Sequence, residues 1–541
     1  MLKSVKSGDR PQFLQFLRAT ALIVLAISAP LPAQVVEVPE LGRLEFPNSG
    51  AAEAQQAFIR GALLLHSFEY EDAREAFQEA RSIDPDFALA AWGEAMTHNH
   101  PLWRQQDREA ALEALAGYAP TREARLAKAP SERERGYLEA VEILYGEGGK
   151  EERDAAYEAA MAGLAERYPD DLEARAFYAL SILGTTQGVR DFRAFMRAGA
   201  VAEEVFDANP RHPGAAHYLI HSYDDPVHAP LGLRAARVYA SIAPAASHAQ
   251  HMISHIFVAL GRWESSVDSN VRAFEVSRER MERKGLGSSA LNFHALQWLQ
   301  YSYLQLGRWE EARRLLEDMK GYLQGNDAGG HDHGGGGGSN RDRWYHSTMR
   351  AAWVVETGGR DVPAESTEGV SLHGRALSAF ATGYAAARRG DVSTLRAASE
   401  GLSADVGAEA AEDDVVERVM EKSLRALLLL AEERHDEALA LLAQAAEAEG
   451  ALPLEYGPPA IVKPSHELYG EVLIELGRPQ EARETFEQAL SRAPRRTLSL
   501  AGLAAAARAQ GDAETVARAC GELASIRADA DQGLALPAAC G

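Results

Sequence analysis

Cysteine is almost missing from this chain: two stand in 541 residues, Cys520 and Cys540, both near the C-terminal end. A thiolate metal site or a cysteine nucleophile in the body of the protein is thereby excluded. The two thiols are left to a disulfide that ties down the tail or to two separate positions. Strand signals are equally scarce, so extended sheet is not expected. Serine-nucleophile and phosphate-loop motifs are missing. No HExxH is present either, since His251-Met252-Ile253-Ser254-His255 has the two-histidine spacing without the glutamate base. Positive charge is in deficit. With 79 acidic against 56 basic residues the formal net charge is −23, which repels nucleic acid and anionic lipid alike.

No apolar run reaches the ~20 residues that a bilayer span needs. The stretch 19–29 follows Lys3, Lys6, Arg10 and Arg18 and precedes Pro30-Leu31-Pro32-Ala33. A basic front, a short apolar region and a small residue to cut after read as a secretory signal peptide over residues 1–33. An uncleaved anchor is the alternative. Export to the periplasm or the extracellular space is expected, with no membrane span after cleavage.

What the chain does have is helix-forming composition and length. Apolar residues make up 46% and charged residues 25%, and Ala, Leu, Glu and Arg dominate. A chain of 541 residues exceeds one ordinary core, which leaves several domains or a repeat array. Internal spacing favours the array. Gly61 is followed by Ala73, Phe77, Ala80 and Pro85 at steps of 12, 16, 19 and 24, and Gly470 by Ala482, Phe486, Ala489 and Pro494 at the same steps. Small residues let two helices approach, the aromatic fills the gap between hairpins, and proline stops the second helix.

In these positions the chain resembles the tetratricopeptide repeat superfamily. The resemblance implies an all-α, right-handed solenoid of helical hairpins whose first helices line a concave groove. Residues 50–324 are expected to form an N-terminal array, 325–343 a glycine-rich flexible loop, and 344–541 a C-terminal array. Polar connections are expected at 358–369 and 403–414. The segment from His212 to Trp263 is similar to one found in a subgroup of secreted bacterial tetratricopeptide proteins. That likeness strengthens the fold and supplies no reaction.

Histidine carries the functional signal. His217 and His221 are four apart, His251 and His255 are four apart, and the pairs are separated by 34 residues, one repeat period. Residues at i and i+4 share a helix face. Counted from Pro213 and from Ser247, each pair falls at the fifth and ninth places of a first helix, which the resemblance implies point into the groove. Neighbouring helices pack about 8 to 10 Å apart, so the four imidazoles can close on one ion or on two. His228, His248 and His294 flank the region. Asp224 and Asp225 follow His221 by a turn and are candidates for a metal ligand, an imidazole-orienting group or a general base. His66, His98 and His100, with His294, are candidates for a second patch.

Imidazole with occasional carboxylate and no thiolate suits zinc, copper or iron. Two readings follow. One is a metal-binding groove, possessing or lacking metal-dependent chemistry on a small molecule or peptide. The other is a peptide- or protein-binding scaffold without catalysis, its imidazoles serving as polar contacts. Duplicated structural histidines are the plain alternative to both.

Overall fold

The structure is a computed structural model that describes residues 36–38, 40–186, 190–325, 339–360, 363–364, 366–411, 413–454 and 456–541. The expected signal peptide and the loop histidines His331 and His333 lie outside the described residues. Among them the chain forms 24 α-helices, two short antiparallel hairpins and no larger sheet. Nearly all helices adjacent in the chain pack against one another in order, so the architecture is an all-helical solenoid.

The repeat positions do what their sizes predict. Ala73, Phe77, Ala80, Ala482 and Phe486 are completely buried, and a Cβ on Gly470 would stand 2.8 Å from the Phe486 ring. Gly470 thus leaves the space that the aromatic fills. One expected connection is shorter than its composition suggests: helix Val392–Glu409 takes in 403–409, and the next helix begins at Val415. In Val392–Glu409, Leu395, Ser399, Leu402 and Val406 are buried at three- and four-residue spacing, which gives the segment an inner stripe that its polar composition conceals.

Long-range contacts coil the array on itself. Arg280 Nε donates to Asp72 at 3.0 Å across 208 residues. Farther on, Arg495 Nη1 donates to the Gly261 carbonyl at 2.9 Å and the Thr497 amide to Gln305 Oε1 at 3.0 Å. The apolar core falls into two parts, one from Leu41 to Ala259 and one from Val258 to Ile526. Helix Ser247–Ala259, which carries His251 and His255, lies at their seam.

The hairpin Val36–Val38/Gly42–Leu44 crosses the loops ahead of both histidine helices. The Arg43 amide donates to the Arg211 carbonyl at 3.1 Å, and the Ala245 amide to the Glu40 carbonyl at 3.0 Å. Cys520 and Cys540 form a disulfide, with Cα atoms 5.4 Å apart. Among the described residues no helix is long and apolar enough to cross a membrane.

Candidate metal centres

The four central histidines separate into two sets, and each set gains a third member. Helix Pro213–Ser222 carries His217 and His221, and the start of helix Ser247–Ala259 contributes His248. His217 Nε2 lies 3.1 Å from His221 Nε2 and 3.1 Å from His248 Nε2. In the second set His255 Nε2 lies 3.0 Å from His251 Nε2, and His294 joins from helix Phe293–Leu306. Within each set the three ligand atoms lie within 4.8 Å of one another.

One rule generates both sets: places five and nine of a first helix, plus place two of the next. His248 follows Ser247, and His294 follows Phe293, so both occupy place two. Residues at the start of a helix lie beside the preceding hairpin, which brings that imidazole back to the pair before it. At nitrogen–metal distances of about 2.0 to 2.1 Å, nitrogens 3.0–3.1 Å apart subtend about 95° at a shared ion, between square and tetrahedral values.

Second partners fix which ring nitrogen is bare. His217 Nδ1 lies 2.7 Å from the His66 carbonyl, which only accepts, so Nδ1 carries the proton and Nε2 the lone pair. His255 Nδ1 donates to Asp224 Oδ2 at 2.5 Å. His251 Nδ1 donates to Asn270 Oδ1 at 2.7 Å, and Asn270 Nδ2 in turn donates to the Ser266 carbonyl. With both rings neutral, the Nε2 atoms of His251 and His255 face one another as two lone pairs at 3.0 Å.

Protonation of His251 does not relieve this repulsion easily. Burial holds His251 well below the usual histidine range, helped by its His294 and His255 neighbours. Burial does the same to His217, His221 and His248, again with neighbouring imidazoles adding to it. His294 is pushed down to about 3 by burial and by the His255 and Arg341 charges. Neutral imidazole is the ligating form, so these surroundings prepare the rings for a cation other than the proton.

A third group, His66, His212 and Glu173, looks similar and is chemically closed. Glu173 accepts from His66 Nε2 at 2.8 Å and from His212 Nε2 at 3.1 Å. The remaining nitrogens are occupied as well, His66 Nδ1 by the Tyr218 hydroxyl and His212 Nδ1 by the Ala215 amide. Burial raises the Glu173 carboxyl, yet His212 and His66 outweigh it and hold the group at about 2. Every polar atom has a partner, so this cluster is a support: it fixes the turn whose His66 carbonyl orients His217.

The expected patch of His66, His98, His100 and His294 is thus divided. His98 and His100 sit by the small hairpin Asn99–His100/Gln105–Gln106, where His100 stacks on Tyr70 with centroids 3.9 Å apart. Coiling brings this region against the first set, since Phe68 packs on His217 at 4.3 Å and Trp103 on His248 at 5.6 Å. Asp224 reaches the second set through His255, and its Oδ1 has no hydrogen-bond partner among the described residues. Asp225 is committed elsewhere. It accepts from Arg190 Nη2 at 3.0 Å, from His228 Nδ1 at 2.9 Å, and from the Val227 and His228 amides just ahead of the next helix. Burial raises its carboxyl, but those donors lower it more.

The two sets open differently. A cavity of about 370 Å³ has His221 in its wall, between Leu102 and Phe195 on one side and the loop around Leu454 on the other. A smaller cavity of about 160 Å³ adjoins His294, Trp298 and His373. Tyr456, from the same late loop, stacks on His255 with centroids 5.5 Å apart. Gly457 makes that approach possible: its φ is +91°, and a Cβ there would meet Trp298 at 2.2 Å. Sequence reasoning named His248 only as a flanking residue and missed Asn270, Trp298 and Tyr456. The shared place two of His248 and His294 is the signal that could have paired each with its set.

The tetratricopeptide repeat family model matches residues 464–496. That unit contains the Gly470, Ala482, Phe486, Ala489 and Pro494 pattern, and helical hairpins of the same build make up the array. Residues 464–496 are a tetratricopeptide-type repeat set in an all-helical repeat array. No curated protein matches it. Similar solved structures include the APC/C hetero-tetramer Cut9–Hcn1 at 13% identity, covering 85% of this chain and 78% of that one with a TM-score of 0.32. The P58(IPK) TPR domain is 14% identical, with 86% and 99% coverage and a TM-score of 0.23. Yeast Tom70 is 12% identical, with 88% and 92% coverage and a TM-score of 0.26. At these TM-scores the likenesses carry no argument about function.

Proposed function

We propose that this protein is an exported helical-repeat protein that binds two transition-metal ions, one in each three-histidine set. The observation that carries the reading is the pair of bare nitrogens on His251 and His255, 3.0 Å apart, with both Nδ1 protons committed to Asn270 and Asp224. Two facing lone pairs in a buried setting call for a shared cation. Three neutral imidazoles suit zinc, copper or iron. Three protein ligands leave a coordination position open, as in catalytic rather than structural sites. An ion held there would supply Lewis-acid polarisation of a bound ligand or a more acidic bound water. The basic, apolar start of the chain and the Cys520–Cys540 disulfide support export to an oxidising compartment.

Elemental analysis of protein purified without a nickel column tests the reading. Close to two ions per chain are expected, and none in the His217→Ala/His251→Ala double variant. Wild-type protein that stays metal-free after incubation with zinc, copper and iron salts rules the reading out.

A further inference from the structure

Resting on that reading, we infer that the 370 Å³ cavity beside the first set takes an apolar organic acid, its acid oxygen on the ion and its apolar body against the late loop. Three observations lead there. The volume is that of a small-molecule site, and such sites are mostly apolar with a few placed polar groups. Leu102, Phe195, Leu454 and Tyr456 line it from elements far apart in sequence, and His221 is the one member of either histidine set in its wall.

Charge selects the acid. The first set consists of three imidazoles, and among the described residues no carboxylate hydrogen-bonds to their rings. Glu69 reaches only the His248 main-chain amide, so a divalent ion there keeps more of its charge than in the second set, where Asp224 accepts from the His255 ring itself. An anionic oxygen donor completes the first site. Arg104, in the cavity wall and exposed, makes no side-chain ion pair among the described residues and adds positive potential at the mouth. Arg190 is also in the wall, but Asp225 already takes its charge.

The experiment uses full-length, zinc-loaded protein and two probes with the same metal-binding head, acetohydroxamate and benzohydroxamate, titrated by calorimetry. Burying the phenyl ring should make benzohydroxamate bind at least about tenfold tighter. Leu454→Trp, which fills the cavity, should erase that preference while zinc content and acetohydroxamate affinity stay as in wild type. Leu454→Ala, which widens it, should also reduce the preference. Arg104→Glu should weaken both probes alike, by about fivefold. Equal affinities for the two probes in zinc-loaded wild type overturn the inference and leave the metal sites standing. So does a preference that survives both Leu454 variants, and an Arg104→Glu variant that binds both acids normally overturns the choice of an acid. Protein that takes up no zinc removes the metal reading itself, and this inference with it.

Discussion

The two histidine sets are copies in their ligands and not in their supports. Both draw two imidazoles from places five and nine of one helix and one from place two of the next. Behind them the surroundings diverge: a main-chain carbonyl orients His217, whereas Asn270 and a carboxylate orient His251 and His255. Access diverges too, since the first set borders the larger cavity and the second lies under Trp298 and Tyr456. The difference teaches that a repeat copies first-contact geometry cheaply, because backbone period alone fixes it. Ligand basicity and exposure depend on residues outside the period and are free to differ. The first ion should therefore be the electrophilic, exchangeable one, and the second the more tightly held.

The strongest way to break the comparison is to remove one set at a time. His217→Ala should lower the content from two ions to one and leave the His251 set loaded; His251→Ala should do the reverse. Site-resolved metal spectroscopy with copper(II) would show one signal surviving in each variant. Should either single variant empty both sites, the ions share one centre and the two-copy description fails.

A smaller effect isolates the support. Asp224→Asn keeps the size of the side chain but removes the charge that accepts from His255 Nδ1. An asparagine can present its NH₂ there instead and favour the wrong tautomer. Loss of such an orienting partner costs about 10- to 100-fold in metal affinity. Competition titration should place that loss on the second ion alone. A matching loss at the first ion would mean that the Asp224 charge acts on the whole groove rather than through one ring.

Much of this was legible in the chain itself, and the limits have physical causes. The 34-residue interval between the histidine pairs and the Gly-Ala-Phe-Ala-Pro spacing follow from helix periodicity, so the all-helical array and the two imidazole couples could be read directly. His294 could not be assigned to its set so readily. It stands 46 residues after His248, and the 12-residue extension between the two hairpins hides their equivalence. His66 misled in the other direction. It stands 34 residues before His100 and was a candidate for the second patch, but Glu173, 107 residues away, takes one nitrogen of His66 into a buried network. Tyr456 was invisible because superhelical coiling, which brings residue 456 onto residue 255, has no local signature.

The late loop provides the finest cut between the two sets. Tyr456 is about half exposed, at 51%, yet its ring stacks on His255 at an interplanar angle of 29° and lines both cavities. It covers the second set without contributing a ligand, so its removal should change access more than affinity. In Tyr456→Ala, stripping of the second ion by an excess of chelator should speed up toward the rate of the first, with equilibrium affinity changed by less than about tenfold, since no ligand or orienting partner is lost. Stopped-flow release followed with a chromogenic chelator resolves two phases in wild type if the sets differ in access, and these phases should converge in the variant. Persistence of a slow phase would move the cause of retention from the tyrosine cover to the Asp224–His255 pair, where the Asp224→Asn variant reads it separately.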